Sequence, residues 1–135
     1  MAQIRVFFAD DHDAIREQVA RILADNFDLV GTASDGEAAL GAVKRLAPDV
    51  VVLDISMPLL SGIEVAKRLK AVGSKTKIVF LTVHEDQDVL RAAIHSGAQG
   101  YVIKSSLASD LIVSIKTVFE NGRFISSSKS LRNCL

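Results

Sequence analysis

Five short apolar runs recur along this chain of 135 residues, each separated from the next by a segment of helical period. The runs are Ile4–Ala9, Leu29–Ala33, Val50–Leu53, Ile78–Leu81 and Tyr101–Ile103. Between them, Ala14–Ala24, Asp35–Leu46, Gly62–Ala71 and Gln87–Ser96 read as helices, and Leu107–Glu120 closes the series. Most runs are apolar at consecutive positions, so both faces of each strand must be covered. Strands that alternate with helices and are covered on both faces form a parallel α/β sheet. Right-handed crossovers leave few arrangements, of which the common doubly wound order is 2-1-3-4-5. The expected fold class is therefore α/β, a five-stranded parallel sheet of order 2-1-3-4-5 with helices on both faces.

Four of the runs end on polar residues of different chemical kinds: Asp10 and Asp11, Asp54, Thr82, and Lys104. In the order 2-1-3-4-5 these four strands are contiguous, and their carboxyl ends share the edge where ligands of such sheets bind. Taken singly, each residue has a plain explanation. Asp11 or Asp13 reads as a cap for the first helix, Thr82 as a strand terminus and Lys104 as a surface lysine. Gathered together, three carboxylates repel unless a cation or proton intervenes. Their hard oxygen donors suit Mg²⁺ and leave room for water and phosphate oxygens. Met57-Pro58 reads as a rigid turn after Asp54. His12, His84 and His95 are scattered and read as local or surface residues. Neither Gly-rich nucleotide loop is present.

Boundary signals agree with the segmentation. Ser34 with Glu37, and Ser61 with Glu64, have capping-box spacing. Pro48, Gly73, Gly97 and Asn121-Gly122 mark helix ends. Leu107, Leu111, Ile115, Val118 and Phe119 form one expected stripe on the last helix, and Gly41 weakens the second. The length fits one domain, and zero net charge gives no whole-chain pull toward nucleic acid or an anionic membrane. A single cysteine, Cys134, excludes an internal disulfide and fits a reducing compartment. No signal-peptide pattern and no spanning stretch is visible, so the expected setting is cytoplasmic, without membrane association. The serine-rich stretch from Ser126 reads as a frayed tail, or as the start of a linker.

Asp10-Asp11-His12, Asp54-Ile55-Ser56-Met57-Pro58 with Ser61-Gly62, Leu81-Thr82-Val83-His84 and Gly97-Ala98-Gln99-Gly100-Tyr101-Val102-Ile103-Lys104 together resemble the receiver domain of bacterial two-component response regulators. The resemblance extends from residue 3 to about 125 and is nearest to the NarL/FixJ (LuxR-type) subfamily. It implies a flavodoxin-like receiver domain over residues 1–125. Residues 126–135 would then be a tail, or lead to an effector domain absent from this chain.

The resemblance also implies roles. Asp54 accepts a phosphoryl group from a phosphohistidine of a sensor histidine kinase. Asp10, Asp11, Asp54 and the backbone carbonyl of Ser56 hold Mg²⁺, with Asp10 acting mainly through a metal-bound water. Lys104 pairs with one phosphate oxygen, Thr82 bonds another, and Tyr101 is an aromatic switch that moves inward. The output is homodimerisation and control of transcription, with DNA contacted only through the effector domain. The alternative is a stand-alone receiver acting on a partner protein.

On this reading the chain is a signalling switch that catalyses only its own phosphotransfer and dephosphorylation, not an enzyme acting on a metabolite. A Mg²⁺-dependent aspartyl phosphohydrolase would want an Asp-x-Asp pair after the first strand, and a flavin phosphate would meet repelling carboxylates. Three departures from the family pattern bear on the site. Val83 is bulkier than the usual small residue and is predicted to narrow access to Asp54. Ser105 stands where a proline is frequent. Ser56 and His84 occupy positions that tune phosphoryl lifetime.

Overall fold

The computed structural model describes residues 3–126. Its elements are β1 (Arg5–Ala9), α1 (Asp13–Asn26), β2 (Asp28–Ala33), α2 (Gly36–Leu46), β3 (Val50–Leu53) and α3 (Gly62–Ala71). They continue with β4 (Lys77–Thr82), α4 (Gln87–His95), β5 (Gly100–Ile103), a 3₁₀ turn over Lys104–Ser106, α5 (Leu107–Phe119) and β6 (Phe124–Ile125). All neighbouring strands are parallel, in the order β2-β1-β3-β4-β5-β6.

The expected order is present, but the sheet has six strands, not five. After α5 the chain reverses through Asn121 at φ 68° and Gly122, whose N–H donates to the Thr117 carbonyl at 2.9 Å. A Cβ at Gly122 would come within 2.8 Å of Thr117 Cγ2, so the reversal needs glycine. Phe124 N–H then donates to Gln99 O and Ser126 N–H to Tyr101 O, which lays the segment beside β5. Two residues are too few to show a period of two, so this strand has no sequence signature. Ser126, read from sequence as the first tail residue, is 1 % exposed and bonded to the sheet. The rest of the expected tail, 127–135, lies outside the described residues.

Alternation along the strands divides the core into two layers. Phe7, Ala9, Val51, Leu53, Ile78 and Phe80 pack against α2, α3 and α4 on one face. Val6, Phe8, Val50, Val52, Val79 and Leu81 pack against α1 and α5 on the other. This explains why the runs are apolar at every position. Each fully buried aliphatic or phenyl side chain contributes roughly 1.5–3 kcal/mol by leaving water. The β1–β2 register shifts between Val6 and Phe7, where Gly31 makes room: a Cβ there would meet the Phe7 ring at 2.9 Å.

Several local expectations change. Ser61 caps α3, its Oγ accepting from Glu64 N–H at 3.2 Å. The cap of α2, however, is Asp35 rather than Ser34, its carboxylate accepting from Ala38 N–H at 2.8 Å. Neither Asp11 nor Asp13 caps α1. His12 takes that position without a side-chain bond, and Asp13 pairs with Arg16 at 2.6 Å. Phe119 falls off the buried stripe of α5 and is 43 % exposed, because it follows Val118 by one position and turns about 100° away. The Lys104–Ser105 peptide is trans, as are all described peptides. No described helix is long and apolar enough to cross a membrane.

Candidate functional site

Register brings the strand ends together. Ala9 lies beside Leu53 and Thr82 beside Ile103, so Asp10 emerges next to Asp54, and Lys104 follows β5 onto the same rim. Asp54 N–H donates to the Ala9 carbonyl at 3.0 Å, fixing the two acids side by side. Gly62 lets α3 start directly against this strand end, since a Cβ there would collide with the Asp54 carbonyl.

Asp10, Asp54 and Thr82 are buried. Lys104 Nζ stands 2.8 Å from Asp10 Oδ2 and 3.2 Å from Asp54 Oδ2. Burial pushes the Asp54 carboxyl above the usual range; Lys104 opposes that shift and the Asp10 charge adds to it. Burial alone would lower the Lys104 ammonium, but its bond to Asp10 and the charges of Asp54 and Asp10 outweigh it and hold the group above its ordinary value. The centre is an ammonium clamped between two carboxylates.

Asp11 completes the acidic rim. One oxygen each from Asp10, Asp11 and Asp54, with a ring nitrogen of His12, lie within 4.8 Å of one another. Asp11 Oδ1 is buried without a hydrogen-bond partner, and His12 Nδ1 lies 3.2 Å from it. A buried carboxylate oxygen lacking a donor, beside two other acids and one cation, fits a hard divalent ion. Asp10 Oδ1 accepts from His12 N–H at 2.9 Å, so Asp10 is partly satisfied already and offers one oxygen less freely.

Ser56 N–H donates to Asp54 Oδ1 at 3.4 Å, which turns the loop after β3 toward the acid. Thr82 Oγ1 makes no hydrogen bond to Asp54 among the described residues; it accepts from His84 N–H at 3.2 Å. Tyr101 is 1 % exposed and already inward, its hydroxyl donating to the His84 carbonyl at 2.8 Å. Burial, then Asp86 and Glu85, drive its phenol far above the ordinary tyrosine value. Val83 is exposed.

Two residues that sequence reasoning left out of the site, His12 and Arg16, belong to it, and His84, noted there only as a position that tunes phosphoryl lifetime, has a second part. His84 joins Thr82 and Tyr101 through its backbone, and its Nε2 lies 3.2 Å from Ser56 Oγ. His12 touches Asp10 and Asp11, although spacing alone had placed it on the surface. Arg16 donates to the Asp10 carbonyl at 2.8 Å and braces the strand end from α1. Position next to Asp11 was an available signal for His12. A backbone-mediated junction such as His84 has none.

The fold and rim thus define a class, a doubly wound α/β domain whose switch edge carries a buried aspartate, two further acids and a bridging lysine. The family model described as the response regulator receiver domain matches residues 6–116, and the chain belongs to that family. It is 36% identical over 125 residues to the response regulator GacA of Pseudomonas viridiflava, covering 91% of this chain and 58% of the relative. With the transcriptional regulatory protein DegU of Brevibacillus brevis it shares 35% identity over 125 residues, 91% of this chain and 53% of the relative. Among solved structures, the receiver domain of NarL from Mycobacterium tuberculosis superposes with a TM-score of 0.85 at 30% identity, covering 89% of this chain and 98% of the other. A LuxR-family regulator from Aurantimonas sp. SI85-9A1 superposes with a TM-score of 0.89 at 27% identity, covering 97% and 94%. These relatives are regulators of the LuxR/NarL type. The chain spans about half the length of the curated relatives it matches.

Proposed function

We propose that this chain is a phosphorylation-operated switch in which Asp54 is the phosphoacceptor and a phosphohistidine of a sensor histidine kinase is the donor. The observation that carries the reading is the Lys104 ammonium held 2.8 Å from Asp10 and 3.2 Å from Asp54. In the transfer, an Asp54 oxygen forms the new P–O bond, the donor P–N bond breaks, and the imidazole leaves with a proton. Such transfer needs positioning and charge neutralisation more than covalent help. Asp10, Asp11, Asp54 and the Ser56 carbonyl would hold Mg²⁺, which would supply part of that positive charge. Lys104 supplies the rest and then pairs with a phosphoryl oxygen.

Thr82 turns its hydroxyl to another phosphoryl oxygen. His84, which links Thr82 to Tyr101, carries that movement to the Tyr101 ring. The new bonds favour one of two arrangements of the β4–α4–β5 face, as any switch requires. The chain turns over no external metabolite. The output is homodimerisation and, through an effector domain outside this chain, control of transcription in the cytoplasm.

Incubation with Mg²⁺ and acetyl phosphate tests the assignment. One phosphoryl group per chain is expected by intact mass, mapped to Asp54 and absent from Asp54→Asn. Labelling that persists in Asp54→Asn, or that proceeds equally well in excess chelator, would defeat it.

A further inference from the structure

On its outer edge β5 presents the Tyr101 carbonyl and the Ile103 N–H, and both end on one residue. Ser126 N–H donates to Tyr101 O at 2.9 Å, and Ser126 Oγ accepts from Ile103 N–H at 3.1 Å. The same hydroxyl donates to Asp110 Oδ2 at 2.8 Å, from the first turn of α5. In a continuing parallel ladder the Ile103 N–H would pass to a main-chain carbonyl. Here a side-chain hydroxyl takes it, using both its donor and its acceptor capacity. Ser126 is buried, so water does not readily replace either bond.

The two strand groups lead back to the acidic rim by separate routes. Ile103 immediately precedes Lys104, whose ammonium sits on Asp10 and Asp54. Tyr101 hangs by its hydroxyl from the His84 carbonyl, and His84 N–H rests on Thr82. Lys104 and Thr82, the two groups that turn toward a phosphoryl group, therefore converge on one serine outside the site.

We infer that Ser126 is a positioning residue that reports the state of Asp54 to the outer edge of β5, with Asp110 as its anchor. The inference rests on Asp54 being the phosphoacceptor. When Lys104 and Thr82 turn toward phosphoryl oxygens, the end of β5 shifts and both bonds to Ser126 loosen. The register of β6 beside Gly100 and Tyr101 then weakens from its Ser126 end.

The test uses the whole chain with Mg²⁺ and beryllofluoride, a phosphoryl mimic. Fluorine NMR detects the adduct, and amide hydrogen exchange is followed at Ile103 and Phe124–Ser126. With the adduct formed, the Ser126 amide is expected to exchange about fivefold faster or more. Ser126→Ala should still form the adduct and still change its Tyr101 fluorescence. Its amides at 103 and 126 should exchange about tenfold faster than native in both states and no longer respond. Asp110→Asn, which keeps an acceptor, should respond like the native chain, whereas Asp110→Leu should behave like Ser126→Ala. A purely structural serine would raise exchange on substitution while native exchange ignored the adduct, and that result overturns the inference. So does a native-sized response in Ser126→Ala. Should Ser126→Ala fail to fold, the native chain and Asp110→Asn decide by the same criterion. If no adduct forms at all, the phosphoacceptor reading fails and takes this inference with it.

Discussion

Removing the Lys104 ammonium leaves Asp10 and Asp54 adjacent, buried and without a cation between them. Lys104→Ala is therefore expected to destabilise the metal-free chain by about 3 kcal/mol, since breaking a buried pair strands the remaining charge. Urea unfolding with and without Mg²⁺ checks this: Mg²⁺ should still bind and restore part of the loss. The phosphorylated variant should fail to propagate the change, and normal dimerisation in it would show that role to be wrong. Tyr101 offers a second measurement at this scale, because the chain has one tyrosine and no tryptophan. Its phenol is held far above the ordinary value by burial, then by Asp86 and Glu85. The folded state thus keeps a proton that the unfolded chain releases near pH 10. The resulting stabilisation is fully present below about pH 10 and is lost as pH rises through the folded value. Ultraviolet titration should show phenolate only together with alkaline unfolding. A phenolate transition centred near pH 10 with intact circular dichroism would contradict the buried, bonded ring.

Two glycines in neighbouring helices are expected to respond in opposite directions. Gly62 lies against the Asp54 carbonyl, so Gly62→Ala must push α3 off the strand end. It should cost on the order of 2 kcal/mol and slow acetyl phosphate labelling. Gly41 lies in α2 with open space where an alanine methyl would stand, so Gly41→Ala should stabilise by up to about 1 kcal/mol. Thermal unfolding of the two variants side by side decides. The contrast also indicates what was readable beforehand. Strand and helix order, and the residues of the rim, followed from period and punctuation because these are local. Helix-end choices such as Asp35 over Ser34 depended on which oxygen reached Ala38 N–H, with Gly36 pressed against the Leu60 carbonyl. The sixth strand and the His84 junction are made by backbone groups, which every residue carries, so side-chain patterns were silent about them.

At the scale of the molecule, the acidic rim is a concentrated charge that one divalent ion would relieve. Mg²⁺ binding to the folded chain alone stabilises it by mass action, about 2.7 kcal/mol at one hundred times Kd. A thermal-shift titration should therefore raise the melting temperature of the native chain with Mg²⁺, and Asp11→Ala should remove most of the rise. An equal rise in Asp11→Ala would place the ion elsewhere. The sheet itself has two borders, and they are finished differently. On one side the two residues of β6 occupy the edge of β5. On the other, β2 is a full-length border strand whose register against β1 shifts between Val6 and Phe7, an irregularity of the kind that increases local twist. A twisted border is a poor template for a flat incoming strand. The glycine that gives Phe7 its space therefore also works against lateral pairing of β2 with an incoming strand.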